Sequence, residues 1–309
     1  MGASRAAAID IGTNSVLLTV AERGPAGLAP VLERATITRL GEGVDQRRAL
    51  SDAAAERTLA CLREYAATLR ELGSPPLRVV GTSALRDAAL GSEFCAAARE
   101  LLGEAIEIIS GEREARLSYR GALSGLTELA ELDAACPVLV FDVGGGSTEI
   151  IAAQGGTIHW CQSLDVGCVR LTERLLRADP PTPSEIEGAR ALIRRALAAL
   201  PAPHGEVALV GVAGTLTTLA AVARGISPYD PERVHGARLT AEEMETLTTR
   251  LAALSTAERT ALPGLSPKRA DVIVAGALIA CEVLRWAGAE GCIVSDRGVR
   301  WGLLHEQLG

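Results

Sequence analysis

The sequence predicts an α/β protein in two lobes, with mixed sheets flanked by helices. Strand-like apolar runs alternate with helix-like amphipathic runs through both halves of the chain, which is the pattern of α/β architecture. Two short stretches also share one pattern, apolar–Asp–apolar–Gly–x–x–Ser: IDIGTNS at 9–15 and FDVGGGS at 141–147. A chain of 309 residues is long enough for two ordinary domains, one for each copy of the repeat.

Each copy of the repeat is predicted to form the tip of a β-hairpin. Apolar runs at 6–9 and 138–141 lead into the two copies, and strand-like runs at 16–20 and 149–152 follow them. Glycine lets backbone N–H groups approach an anion closely, Ser and Thr add neutral donors, and Asp can hold a hard cation or a water. One such loop is more often a plain turn. A matched pair of loops, one in each half of the chain, predicts a site that closes on a phosphate-bearing ligand from both sides.

The other elements of the first half follow from capping residues and hydrophobic periodicity. Ser51 is predicted to cap a helix with one apolar face, which ends before Gly73 and a Pro-Pro pair. Four further elements are predicted: a strand at 77–81 that opens into a loop at 82–87, a helix beginning at Ser92, a strand at 106–109, and a long helix at about 112–132.

In the second half, capping-box patterns mark the predicted helix starts. The pattern occurs at Ser184/Glu187, Thr240/Glu243 and Ser255/Glu258, and Pro267 falls at a first helical position. A strand at 207–212 runs into Gly214 and Thr215, which open a further helix. The predicted domains are 1–130 and 131–296.

Composition argues against several classes of protein. The net charge of −7 disfavours a nucleic-acid partner. The most apolar helix candidate, at 272–284, is too short to span a bilayer and contains Glu282, so no membrane partner is expected. Seven cysteines without a CxxC pair indicate reduced thiols in the cytoplasm, and four scattered histidines form no cluster with metal-ligand spacing.

Nine motifs, in this order along nearly the whole chain, resemble those of the exopolyphosphatase/guanosine pentaphosphate phosphatase family, within the actin-like and sugar-kinase ATPase superfamily. They are IDIGTNS (9–15), RLGEGV (39–44), GTSALRDA (81–88), ISGEREARL (109–117), FDVGGGSTEI (141–150), SLDVGCVRLTE (163–173), GVAGTLTTLA (211–220), SPKRADVIVAGA (266–277) and VSDRGVRWGLL (294–304).

The resemblance implies a fold, an activity and a cofactor. The expected fold is two actin-like (ribonuclease-H-like) lobes with a cleft between them, the final helix at 297–309 returning to the first lobe. Family members remove the terminal phosphate from inorganic polyphosphate or guanosine pentaphosphate with magnesium, and manganese is an alternative ion. The chain resembles the short, two-domain form, and a homodimer is expected.

Glu114 is the predicted general base, which deprotonates or orients the attacking water. It lies in the first turn of the helix that follows Ser110, where the helix N-terminus favours negative charge. From the residues alone, a solvated charge run at 112–114 is the commoner explanation. The resemblance favours Glu114, because the family motif keeps this Glu directly before Ala. Glu112 stays as a competitor.

The phosphate contacts are predicted from both loops and from arginine. A guanidinium fork matches phosphate oxygens, so Arg86 is the expected clamp, with a salt bridge near Asp87 as the alternative. Arg269, together with Arg170, is a candidate for holding the rest of a polyphosphate chain. The loop residues predicted to bind substrate are Gly12, Thr13, Asn14 and Ser15, then Gly144, Gly145, Gly146, Ser147 and Thr148.

Three carboxylates are predicted to contact magnesium or its waters. Asp142 and Glu149 flank the second loop, and Asp10 opens the first. Hard oxygen ligands suit magnesium, which is usually held by few carboxylates and keeps several waters. Asp at such a position is also a common structural turn residue.

The favoured function is hydrolysis of the terminal phosphoanhydride of polyphosphate by direct attack of water. The alternative is a guanosine pentaphosphate 5′-phosphatase that produces guanosine tetraphosphate; a superfamily kinase and a non-catalytic sensor of polyphosphate or alarmone are further alternatives. Only 3% of the residues are aromatic, which favours a linear polyphosphate over a guanine-bearing ligand. The resemblance to the short, two-domain form, without an added C-terminal region, predicts a preference for shorter chains. Two departures from family patterns stand out. Leu17 replaces a polar residue and removes one phosphate anchor, and Trp301 replaces a Glu and is expected to alter the rim of the cleft or domain closure.

Overall fold

The computed structural model describes residues 4–25, 27–88, 92–126, 136–203 and 205–309. The chain divides into two compact units. Unit 1 comprises residues 1–121 and 299–309, and unit 2 comprises residues 122–298. The division therefore falls earlier in the chain than the sequence placed it, and the C-terminal segment belongs to unit 1.

Unit 1 is built on a five-stranded mixed sheet with the order β3-β2-β1-β4-β5. The first three strands form an antiparallel meander, whereas β4 and β5 run parallel to β1. The strands are β1 (Arg5–Ile11), β2 (Ser15–Gly24), β3 (Gly27–Ile37), β4 (Leu77–Gly81) and β5 (Ile106–Ile108).

Helices cover both faces of this sheet. They are α1 (Val44–Arg47), α2 (Asp52–Glu71), α3 (Ser83–Asp87), α4 (Ser92–Leu102), α5 (Gly111–Ala122) and the last helix, α13 (Val299–Leu308). Because successive side chains of a strand point to opposite faces, β1 serves two cores. Ile9 and Ile11 pack with α2 and α4, and Ala6 and Ala8 pack with Leu117 of α5 and with α13.

The sequence predictions for unit 1 are mostly confirmed, with two corrections. The Ser51 side chain accepts a hydrogen bond from the Ala54 amide and caps α2, as predicted. The segment that follows β4 is the short helix α3 rather than a loop. The helix predicted at 112–132 ends at Ala122, and residues 127–132 lie outside the described part of the chain.

Trp301 is a core residue of unit 1. Its side chain is fully buried, and its Nε1 donates a hydrogen bond to Glu33 Oε1 at 3.1 Å. Trp301 thus packs inside unit 1, and its effect on the cleft rim or on domain closure stays a prediction. Its neighbour Gly302 lies so close to the Leu117 carbonyl of α5 that a Cβ would overlap it, which lets α13 pack tightly against α5.

Unit 2 is built on a six-stranded sheet with the order β10-β11-β9-β6-β7-β8. An antiparallel meander of β6, β7 and β8 continues into β9 and β11, which run parallel to β6. Five of its strands thus repeat the pattern of unit 1, and the α/β class with two mixed sheets is confirmed. The strands are β6 (Val138–Val143), β7 (Thr148–Gln154), β8 (Thr157–Leu164), β9 (Ala208–Val212), β10 (Arg238–Thr240) and β11 (Gly291–Val294).

The helices of unit 2 begin mostly where capping residues predict. They are α6 (Cys168–Leu175), α7 (Pro183–Leu197), α8 (Ala213–Arg224), α9 (Pro231–Val234), α10 (Ala241–Ala253), α11 (Thr256–Arg259) and α12 (Ile273–Ala287), with a 3₁₀ turn at Pro267–Arg269. The capping boxes at Thr240 and Ser255 are confirmed. The one predicted at Ser184 is wrong, because Pro183 occupies the first turn and Thr182 is the cap, with Glu185 as its partner.

Helix α12 is the central helix of unit 2, and its residues from Ile273 to Leu284 are all buried. In the described part of the chain, no helix combines the length and apolar character needed to cross a membrane.

Glu282 of α12 is a buried carboxylate with three arginine partners. Its side chain is 1% exposed, and it accepts hydrogen bonds from Arg190 at 2.7 Å, Arg194 at 2.9 Å and Arg285 at 2.5 Å. Burial alone raises the pKa of Glu282, but the hydrogen bonds from the arginines outweigh this and lower it to about 2.

We expect Glu282→Gln to lower the free energy of unfolding at pH 7 by about 3 kcal/mol, because it removes the buried carboxylate that three arginines share. The carboxylate ionises more readily in the folded chain than in the unfolded one. The contribution of the ionised Glu282 carboxylate to the free energy of unfolding is therefore complete above the ordinary pKa of 4.5. It is lost as the pH falls towards about 2.

Urea denaturation at pH 7, and at steps below pH 4.5, measures both effects. The matched control is Glu112→Gln, which removes an exposed pair with Arg116 and should change stability by less than about 0.5 kcal/mol. A difference between wild type and Glu282→Gln that does not shrink in acid would contradict the assignment.

Candidate functional site

The two repeated sequences form hairpin tips with the same backbone geometry. In the first tip, loop 1 (residues 12–15), the Gly12 amide donates to the Ser15 carbonyl at 3.0 Å. In the second, loop 2 (residues 144–147), the Gly144 amide donates to the Ser147 carbonyl at 3.0 Å. A Cβ on either glycine would lie 3.0–3.1 Å from that carbonyl oxygen, a contact tight enough for the turn to favour glycine at both positions. The predicted hairpins are confirmed.

Each loop lies at the carboxyl end of its parallel strands. In unit 1, Ile11 pairs with Gly81 and Gly81 with Ile108, so loop 1, α3 and the start of α5 follow three adjacent strand ends. In unit 2, Asp142 pairs with Val212, so loop 2 and the start of α8 follow adjacent strand ends. Ligands bind at this edge in open α/β sheets.

Loop 2 is held by the first turn of α6. The amides of Cys168 and Val169 donate to the carbonyls of Gly144 and Gly145, both at 2.9 Å. Arg170 Nε donates to the Gly146 carbonyl at 2.7 Å. Because the C=O and N–H of a trans peptide point in opposite directions, the amides of the next residues face away from α6. Loop 2 therefore turns three consecutive N–H groups, those of residues 145–147, towards one side, which is an anion-binding geometry.

Arg170 has a different position from the one the sequence suggested. It was a candidate for holding the distal part of a polyphosphate chain. In the structure its side chain is buried and its Nε bonds the Gly146 carbonyl, so it braces loop 2 from behind.

Loop 1 is covered by the RLGEGV segment. The Gly41 amide donates to the Thr13 carbonyl at 2.8 Å, and the Arg39 amide donates to the Asn14 carbonyl at 2.9 Å. Gly41 lies against the Thr13 side chain, where a Cβ would overlap it. The sequence identified this motif but assigned it no part in the site, and the structure makes it the support of loop 1.

Glu114 and Arg86 form a direct ion pair. Arg86 Nη1 donates to Glu114 Oε2 at 2.9 Å and to the Ile109 carbonyl at 2.9 Å. Glu114 is 8% exposed in the first turn of α5, whereas Glu112 is exposed and pairs with Arg116. The structure thus brings together the predicted base and the predicted phosphate clamp, and it orients Glu114 rather than Glu112.

Asp142 and Glu149 lie directly opposite each other on β6 and β7, and both are buried. The Ser163 hydroxyl donates to Glu149 Oε1 at 2.7 Å. In unit 1, Asp10 occupies the position of Asp142, but Leu17 lies opposite it. Only unit 2 therefore has a carboxylate pair at this position of the hairpin. Among the described residues, no group of three or more His, Cys, Asp or Glu side chains could hold a metal ion.

Arg269 lies against the first turn of α8. Its guanidinium packs on Gly214 so closely that a Cβ there would overlap it, and burial lowers the pKa of Arg269. The N-cap of α8 is Val212, and Thr215 lies in the first turn of the helix. Its hydroxyl instead donates to the Val143 carbonyl at 3.1 Å and ties α8 to the end of β6 beside loop 2.

Sequence reasoning missed Ser163 and Gly167. Gly167 lies against the backbone of Gly145 and Gly146, where a Cβ would overlap main-chain atoms. Both residues belong to the SLDVGCVRLTE motif. The motif marked the segment, but the contacts depend on how β8 and α6 pack against loop 2.

Comparisons with known proteins identify a family and several similar chains. Residues 19–309 match the Ppx/GppA phosphatase family. Exopolyphosphatase 2 of Mycobacterium tuberculosis is 39% identical over 320 residues, covering 98% of both chains.

Two solved structures are also similar. The Ppx/GppA family member from Aquifex aeolicus is 34% identical with a TM-score of 0.82, covering 98% of this chain and 97% of the other. An exopolyphosphatase from Cytophaga hutchinsonii is 25% identical with a TM-score of 0.89, and the match covers 98% of this chain and 97% of the other.

Proposed function

The chain belongs to the Ppx/GppA phosphatase family, and we propose that it is an exopolyphosphatase, which releases orthophosphate from the ends of inorganic polyphosphate. The observation that carries the proposal is loop 2, whose carbonyls are bonded to α6 and Arg170 so that its N–H groups turn to the other side. A linear polyphosphate needs repeated anion contacts of this kind. The full-length similarity to an exopolyphosphatase supports the same substrate.

In the proposed reaction, backbone N–H groups of the glycine-bearing loops bind phosphoryl oxygens of the substrate. Glu114 takes a proton from water as the water oxygen bonds to the terminal phosphorus. The bridging P–O bond breaks, and its electron pair leaves with the shortened chain. Arg86, fixed by Glu114 and the Ile109 carbonyl, supplies positive charge for the phosphoryl oxygens, and Arg269 contacts the rest of the chain.

The pair of carboxylates in unit 2 suits a magnesium ion that binds together with the substrate. Magnesium is commonly held by one or two carboxylates together with waters and substrate phosphates, so it needs no larger cluster. We propose Asp142 and Glu149 as these carboxylates, with manganese as an alternative ion; Asp10 faces Leu17 and is the weaker candidate. The ion would neutralise charge on the phosphates.

We expect hydrolysis to require magnesium or manganese, and Glu149→Ala to raise the magnesium concentration needed for half-maximal activity. Titration of the ion against phosphate release measures the shift. Glu112→Ala, at an exposed carboxylate outside the proposed site, is the matched control. Full activity in excess chelator would rule out this scheme.

The aromatic residues favour polyphosphate over a guanine nucleotide. Five of the eight rings are buried in the cores: Tyr65, Phe94, Tyr119, Phe141 and Trp301. Stacking a base needs an accessible ring, which leaves few candidates. We therefore place guanosine pentaphosphate second. A preference for shorter polyphosphate chains stays a separate prediction.

Phosphate release from long polyphosphate, short polyphosphate, guanosine pentaphosphate and ATP, measured in parallel with magnesium, tests the proposal. The highest kcat/KM should be for short polyphosphate. A clear advantage for guanosine pentaphosphate would replace the proposed function with the alternative, and binding without turnover would indicate a sensor. A cytoplasmic location and a homodimer complete the proposal, and light scattering measures the oligomeric state.

A further inference from the structure

Thr38 lies beside loop 1, one residue beyond the end of β3. The last pair of the β2–β3 ladder is Ser15 with Ile37, and the Thr38 amide donates to the Asn14 carbonyl at 3.1 Å. The Asn14 carbonyl also accepts from the Arg39 amide at 2.9 Å, so Thr38 is held next to the backbone of Asn14 at the base of loop 1.

The side chains of Asn14 and Thr38 carry three buried polar atoms that lack hydrogen-bond partners in the described part of the chain. The atoms are Asn14 Oδ1, Asn14 Nδ2 and Thr38 Oγ1. Asn14 is 5% exposed and Thr38 is 3% exposed. A buried polar atom without a partner destabilises the folded chain, and two of these three atoms, Asn14 Nδ2 and Thr38 Oγ1, are donors that an anionic ligand would satisfy.

The main chain holds Thr38 firmly in this position. The Thr38 amide donates a hydrogen bond to the Asn14 carbonyl, and the Thr38 carbonyl accepts one from Arg57 Nε at 3.0 Å. Arg57 is itself paired with Glu42 of the RLGEGV segment at 2.9 Å. The hydroxyl is thus carried on a preorganised backbone, and a ligand gains from this because little ordering is needed on binding.

We propose that Thr38 is a further substrate-binding residue, whose hydroxyl donates a hydrogen bond to an oxygen of the phosphate ligand beside the Asn14 amide. The inference rests on the proposed function for the identity of the ligand. Asn14 Nδ2 and Thr38 Oγ1 are neutral donors at the tip of a glycine-bearing hairpin, and such donors suit a phosphoryl oxygen.

The test is Thr38→Val, which keeps the shape of the side chain and removes the hydroxyl. We expect KM for tripolyphosphate to rise about tenfold or more, since a hydrogen bond to a charged ligand is lost. The melting temperature without ligand should stay the same or rise, because a buried hydroxyl without a partner has been removed. Thr38→Ser restores the hydroxyl and should recover most of the affinity.

The matched control is Thr58→Val in α2. Thr58 is also fully buried, but its hydroxyl donates to the Ala54 carbonyl at 2.8 Å. This variant should lose stability without a change in KM. The opposite responses of two buried threonines separate a ligand contact from a purely structural role.

Calorimetric titration of tripolyphosphate into Glu114→Gln, with and without Thr38→Val, measures binding apart from turnover. A protein that binds tripolyphosphate through Thr38 but does not hydrolyse it would retain this inference and lose the proposed function. Unchanged affinity in Thr38→Val, as expected if a buried water satisfies the polar atoms of Asn14 and Thr38, would overturn the inference. Absence of tripolyphosphate binding by the parent variant would overturn it as well.

Discussion

Replacing Glu114 by Gln is expected to lower kcat for polyphosphate by about 10²-fold or more, with binding retained. The amide keeps the shape of the side chain, and its oxygen can still accept a hydrogen bond from Arg86. It cannot, however, accept the proton that water loses on attack. Phosphate release under saturating substrate measures kcat, and calorimetric titration of tripolyphosphate measures binding.

Glu112→Gln is the control for this prediction. Glu112 is two residues away on the same helical turn, but it is exposed and paired with Arg116. Its replacement should leave kcat unchanged. If Glu114→Gln keeps more than about a tenth of wild-type turnover, a base of the proposed strength is excluded.

Gly167→Ala is expected to lower kcat/KM by about 10²-fold, because displacement of a phosphate-binding loop by even 1 Å has an effect of this size. The backbone of Gly167 is extended, with φ −133°, so alanine is not strained there. The effect is steric, because the added Cβ overlaps the backbone of Gly145 and Gly146. These are main-chain atoms of loop 2, so the overlap can be relieved only if loop 2 moves.

Gly188→Ala provides the matched control, since a Cβ at Gly188 in α7 meets no atom within 4 Å among the described residues. This variant should be fully active and slightly more stable, because alanine favours a helix over glycine. Steady-state kinetics and thermal unfolding of both variants measure the contrast. A Gly167→Ala enzyme with wild-type kcat/KM would show that loop 2 does not depend on close packing against Gly167.

Much of the fold could be predicted from local signals. Capping residues and turn glycines act within a few residues, so Ser51 and the two hairpin tips were identified correctly. The wrong predictions of a helix start and a helix end also have local causes. Ser184 fits the capping box as well as Thr182 does, and only the placement of Pro183 separates them. The helix that begins at Gly111 continues an amphipathic pattern past Ala122, where the described helix ends.

The sequence by itself determined the family, the two loops and the candidate base, because these are carried by contiguous motifs whose chemistry depends on neighbouring residues. Only the tertiary structure decided which partners these groups have. The pairing of Arg86 with Glu114, the bracing of loop 2 by Arg170 and the position of Thr38 beside Asn14 all join segments that are distant in the chain. Such contacts depend on sheet register and helix packing, which bring distant residues within hydrogen-bonding distance and leave little trace in the spacing of any one motif.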